Sequence, residues 1–89
     1  MHLPTIAALL TDLGHCTDRD AYTVTIPSRD GTSIVIAHAY DDLYDVCRYP
    51  AGAWYGDSAP LVALTASSPA AAAQLAHQLA TATFATTEA

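Results

Sequence analysis

Two cysteines and four histidines are the residues of this chain best suited to metal or nucleophilic chemistry. His15 and Cys16 are adjacent, and the second cysteine, Cys47, lies far along the chain. No pair has the two-to-four-residue gap that lets two ligands reach one tetrahedral ion from a tight turn. A metal site would have to be assembled in space from His15, Cys16, His38 and Cys47. Nucleophilic catalysis needs a Cys or Ser with a base in reach and a turn that stabilises an oxyanion. Cys47 stands next to Arg48, with His38 as a conceivable cross-strand base. Successive strand residues point to opposite faces, however, which takes Arg48 away from the sulfur. No G-x-S-x-G, P-loop or H-E-x-x-H pattern occurs, and Gly14, Gly31, Gly52 and Gly56 are too scattered to cradle a phosphate. The sequence therefore predicts no catalytic set, no cofactor and no metal.

The aromatic residues are a stronger signal. The stretch YDVCRYPAGAWYGDS, residues 44–58, holds three of five tyrosines, the only tryptophan and one of three arginines. Tyr, Trp and Arg are the types enriched at interface hot spots, so Tyr44, Arg48, Tyr49, Trp54 and Tyr55 form a candidate contact patch, with Tyr40 beside it. The competing reading is that they fill space left open by alanine-rich helices, since aromatics dominate cores by area. Both hold if one side of a strand packs inward and the other meets a partner. The acids offer a different surface. Asp18, Asp20, Asp41, Asp42, Asp45 and Asp57, if aligned, would imitate a phosphate backbone and block a nucleic-acid-handling protein. Solvated turns are the commoner use of such residues, and an EF-hand loop is ruled out by the missing closing Glu.

Composition narrows the partners. Nine acids, eight of them Asp, stand against three Arg and no Lys, for a net charge of −6. Direct binding to a phosphate backbone needs clustered cations, so nucleic acid is excluded as a direct ligand. No segment approaches the roughly 20 apolar residues of a membrane span, and the N-terminus lacks the charged and apolar regions of a signal peptide. Two cysteines are too few for a disulfide scaffold, which points to a cytoplasmic protein with reduced thiols. Nineteen of the 89 residues are alanine, leaving nine Leu, four Ile, four Val and seven aromatics for the core. A core this thin favours self-association.

Eighty-nine residues make one small domain. Residues 3–13 read as a helix with Ile6, Leu9, Leu10 and Leu13 on one stripe, Pro4 in its first turn and Gly14 as its C-terminal cap. His15–Asp20 read as a loop. The segment YTVTIPSRDGTSIVIAHAY alternates as a hairpin. A three-residue loop, Arg29-Asp30-Gly31, pairs Ile26 with Ile34, Val24 with Ile36 and Tyr22 with His38, and gives Gly31 the positive φ that such a loop demands. Asp41-Asp42 reads as a turn into a third strand, Leu43–Tyr49. Residues 61–65 are a fourth strand or an extended lead into a final helix. That helix is capped by Ser68 and begun by Pro69, runs to about Phe84, and buries Ala72, Leu75, Ala76, Leu79 and Ala82. Residues after about 85 are expected to fray.

The predicted class is α+β: an antiparallel sheet of three or four strands with N- and C-terminal helices packed on one face. This order matches double-stranded-RNA-binding topology in outline, but the start of the last helix, where such domains need lysines, reads SSPAAAAQL. The expected function is a non-catalytic protein-interaction module, a small self-associating adaptor or regulator. The alternative is an acidic mimic that inhibits a DNA- or RNA-handling protein, and the third choice a small metal-binding or enzymatic domain.

Overall fold

The computed structural model describes residues 3–20, 22–28, 31–41, 43–50 and 59–81. The elements in chain order are α1 (Leu3–Asp12), β1 (Asp18–Arg19), β2 (Thr23–Pro27), β3 (Ser33–Tyr40), β4 (Leu43–Tyr49), β5 (Val62–Ala66) and α2 (Pro69–Thr81). The five strands form one antiparallel sheet in sequential order, β1-β2-β3-β4-β5. The α+β class is as expected, with five strands rather than three or four. The segment at 61–65 is a strand, shifted by one residue. The fifth, β1, lies inside the stretch expected to be a loop.

Each helix is delimited by chemistry that the sequence announces. Gly14 has φ of +96°, its N–H bonds to the Thr11 carbonyl, and the His15 N–H bonds to the Leu10 carbonyl. These two bonds are the Schellman closure, which needs a left-handed residue after the last turn. At the other helix the Ser68 hydroxyl accepts from the Ala71 N–H, satisfying one donor that the first turn leaves over. No helix is long and apolar enough to cross a membrane among the described residues.

The hairpin has the predicted register, Ile26 opposite Ile34 and Val24 opposite Ile36. Ser28 N–H donates to the Thr32 carbonyl, Gly31 N–H donates to the Ser28 carbonyl, and Gly31 has φ of +89°. That is a turn closed by a left-handed glycine, the three-residue form. The expected Tyr22–His38 pair is absent, because the ladder ends at Thr23–Ala37. The Asp20 carboxylate accepts from both the Tyr22 and Thr23 N–H groups and bends the chain there, leaving Tyr22 79% exposed. At the next turn Asp41 takes φ of +50°, with a register shift between His38 and Tyr40.

Both helices cover the same sheet face. Leu3, Ile6 and Leu10 of α1 and Ala72, Ala73, Ala76, Leu79 and Ala80 of α2 meet Val24, Ile26, Ile34, Ile36, Tyr44, Val46 and Ala66. The small residues of α2 let its backbone approach the strands closely. Two expectations fail at the margins of this core. Leu13 is 46% exposed, because the chain has already turned at Gly14, and Leu75 packs only partly against the core. Ala82, Phe84 and the expected fraying lie outside the described residues. The opposite face carries a second, small cluster of Val35, Cys47 and Tyr49.

Candidate functional site

Strand alternation divides the predicted contact patch between the two faces. Tyr44 is 1% exposed and belongs to the main core, with its ring 5.4 Å from that of His38 in an edge-on arrangement. Arg48 shares its face and is buried between its register partners Ile34 and Val62, an apolar setting that suits an arginine's aliphatic stem. Tyr49 is buried on the other face. All three are therefore buried in the single chain and do not form one exposed patch: Tyr44 fills the main core, Arg48 lies beside apolar register partners, and Tyr49 belongs to the small cluster on the opposite face. Trp54 and Tyr55 lie outside the described residues. Among the described residues the exposed aromatics are Tyr22 and Tyr40, at the end of the sheet where β2 begins and β3 stops.

The acids spread over several elements. Asp18 is on the short strand β1, Asp41 at the β3–β4 turn and Asp45 on β4, all exposed. Asp20 is occupied by its own turn. Its bonds from the Tyr22 and Thr23 N–H groups hold its carboxyl below the usual carboxylate range. Asp42 and Asp57 lie outside the described residues.

The candidate ligands and nucleophiles are also distributed. Cys47 pairs with Val35 on the face away from the helices, whereas His38 pairs with Tyr44 on the helix-covered face, so the sheet separates them. Burial first, and then the charge of Asp45, push the Cys47 thiol up, against a smaller opposing hydrogen bond with Tyr49. His38 Nε2–H donates to the Asp41 carbonyl at 2.6 Å, which fixes its tautomer. Cys16 is exposed. His15 meets His77 of α2 instead of either cysteine, with Nε2 2.8 Å from Nδ1 and the rings edge-on at 5.1 Å. Burial and the neighbouring His77 lower the His15 pKa. No group of three or more His, Cys, Asp or Glu side chains that could hold a metal ion occurs among the described residues.

Two surface features remain. The first is a shallow apolar groove of about 260 Å³ between the helices, lined by Leu9, Leu13, Ala70 and Ala73 with Asp12 and Gln74 at its rim. The second is the edge of β5. Sheet edges expose unpaired backbone groups, and proteins ordinarily blunt them with short strands, charge or proline. The β1 edge follows that rule: it is two residues long and reads Asp18-Arg19. The β5 edge does not, since VALTA carries no charge and no proline. Leu61 just before it is 55% exposed, and Leu64 within it 38%.

The ladder also determines which backbone groups β5 presents. Bonded and non-bonded pairs alternate in antiparallel strands, so the Ser28–Thr32 bond sets the phase of the sheet. Ile26–Ile34 and Val24–Ile36 are then bonded pairs. The odd-numbered residues of β3 turn their N–H and C=O toward β4, and the even-numbered residues of β4 turn theirs toward β5. The bond from Asp20 N–H to the Thr23 carbonyl fits the same phase on the other side. Val62, Leu64 and Ala66 are engaged with β4, whereas Ala63 and Thr65 direct their N–H and C=O outward. No strand lies beyond β5 among the described residues.

The exposed, uncharged edge of β5 was the feature missed in the sequence. Its signal was an uncharged apolar run at the end of a meander, where the last strand must be an edge. No family model matches this chain, and neither a curated protein nor a solved structure matches it.

Proposed function

We propose that this protein is a non-catalytic interaction module of the cytoplasm, a small self-associating adaptor or regulator that docks through the β5 edge of its sheet. The observation that carries the reading is the contrast between the two edges. One is short and charged, the other five residues long and uncharged, with exposed Leu61 just before it and exposed Leu64 within it. Strand addition uses just such an edge, with main-chain hydrogen bonds supplying affinity and alternate side chains supplying selectivity. The separation of His38 from Cys47 across the sheet supports a binding role over a catalytic one. The direct partner is protein, since the net charge of −6 disfavours nucleic acid.

Affinity capture on immobilised wild type and on Leu64→Lys, run in parallel, tests this. The expected result is a stoichiometric protein, either a second copy or another chain, held by wild type and lost from the variant. Equal retention by both places the docking surface elsewhere. If wild type retains neither itself nor any other protein, the module reading is wrong.

A further inference from the structure

The occupant of the β5 edge is identified by the edge's own symmetry, and this inference rests on the docking role proposed above. Ala63 and Thr65 each offer one N–H and one C=O outward, two residues apart, with Leu64 between them. Consider a second copy laid antiparallel along this edge by a two-fold axis through Leu64. Ala63 then meets the partner's Thr65, and Thr65 meets the partner's Ala63. Each of these is a bonded pair, so every outward donor and acceptor of both residues finds its counterpart, four hydrogen bonds in all. The geometry points to a homodimer in which β5 pairs with β5 of a second copy and the two five-stranded sheets become one.

Other registers do worse. An axis on Ala63 or on Thr65 also aligns outward groups, but only three strand residues of each copy then overlap, against five with the axis on Leu64. An odd shift sets Ala63 against Leu64, misdirects the bonds and turns the wrong faces together. With the axis on Leu64 the remaining pair is Val62 with the partner's Ala66, apolar on both sides. The two Leu64 side chains meet in a non-bonded pair, where Cα atoms approach to about 4.5 Å, and both lie on the helix-covered face. The chain carries a net charge of −6, but residues 58–87 hold no Asp, Glu, Lys or Arg, so this strand has no charge to place against its own copy. Like charges directly opposite each other in a sheet are destabilising, so an uncharged strand is what an isologous contact on such a chain requires.

Sedimentation of the full chain, with Leu64→Lys, Leu64→Asp and an equimolar mixture of the two, tests the axis. Wild type should run at twice the 9.3 kDa of one chain. Each variant alone should bind itself at least about tenfold more weakly, because like charges then face each other across the axis. The mixture should recover the dimer, since lysine meets aspartate. Circular dichroism confirms that each variant is folded. If either is not, Thr65→Pro replaces it: this removes an outward N–H without touching the bonds to β4, and should abolish the dimer. A wild type that stays monomeric up to about 1 mM, the weak limit of specific association, overturns self-pairing. The module reading then stands or falls on the capture experiment, where a foreign partner would still distinguish wild type from Leu64→Lys. A dimer that survives all these substitutions shows that the copies meet elsewhere.

Discussion

His15 and His77 share a hydrogen bond between the loop after α1 and the third turn of α2, and the setting of His15 there makes stability depend on pH. Burial and the second ring both disfavour the imidazolium of His15, so its folded-state pKa lies below the usual value near 6.5. The unfolded chain then binds the proton first as pH falls. Stability from this site is fully present above pH 6.5 and is lost as pH drops below it. Urea unfolding at intervals between pH 7.5 and 5 should show the midpoint falling with acidity, and His77→Gln should reduce that fall only in part, since burial is the larger cause. An unchanged slope in the variant would leave burial alone as its cause. Nothing in the sequence joins residues 15 and 77; only the packing of α1 on α2 does. Tyr44 and Arg48 show the converse limit. Alternation puts both on one side of β4 but does not say how deeply either is buried, and an arginine at the rim of an apolar row gives no warning that it will be covered.

Local chemistry made most elements legible. The Arg29-Asp30-Gly31 loop length followed from requiring that apolar residues share a face, and the structure has that register. The helix caps at Gly14 and Ser68 were equally readable, because each answers a fixed deficit of hydrogen bonds. Gly14 also supports a quantitative expectation. An added Cβ would find no atom within 4 Å, so the cost of Gly14→Ala is confined to the backbone at φ of +96°. It should destabilise the fold by about 1–2 kcal/mol, a fall of about 4–16 °C in Tm for a domain of this size. Gly14→Asn should lose less, since Asn tolerates the left-handed region. Equal losses in thermal melts would mean that strain is not the cause. The strand β1 was not legible: two polar residues cannot show a period, and what makes them a strand is the neighbouring β2. Leu13 misled for a related reason, since helical spacing continues on paper past the residue where Gly14 turns the chain away.

Over the whole molecule the decisive quantities are a thin core and an unbalanced charge. Ile6, Leu10, Val24, Ile26, Ile34, Ile36 and Val46 are fully buried, and most of the remaining core positions in the helices are alanine. Truncating one large core residue costs about 2–5 kcal/mol, a large share of the 5–15 kcal/mol typical of a whole domain. Extra burial at an uncharged edge is correspondingly valuable to this chain. Two copies of net charge −6 repel one another at long range, and salt reduces that repulsion without weakening backbone bonds in the strand pair. Self-association should therefore strengthen between 0.01 M and 0.15 M salt, as the screening length falls from about 30 Å to about 8 Å. Sedimentation across that range checks the sign, and a weakening would mean that charged groups form the contact. The helices' common face was legible from element order alone. The β5 edge was legible only in part: an uncharged last strand signals an edge, but which of its backbone groups face outward follows from the phase of the ladder.

The inequality of the two edges also governs how far assembly proceeds. A sheet with two equally sticky borders adds copies end to end, and the product is a fibril. In this molecule joining β5 to β5 leaves β1 at both outer borders, and each is only two residues long, bears Asp18 and Arg19, and is closed off by the bend that Asp20 holds. Growth of the proposed assembly would then stop at two. The brevity of β1, which hid it from the sequence reading, is what would keep the proposed oligomer finite, and an insertion lengthening that strand with uncharged residues should turn a terminated pair into a polymerising one.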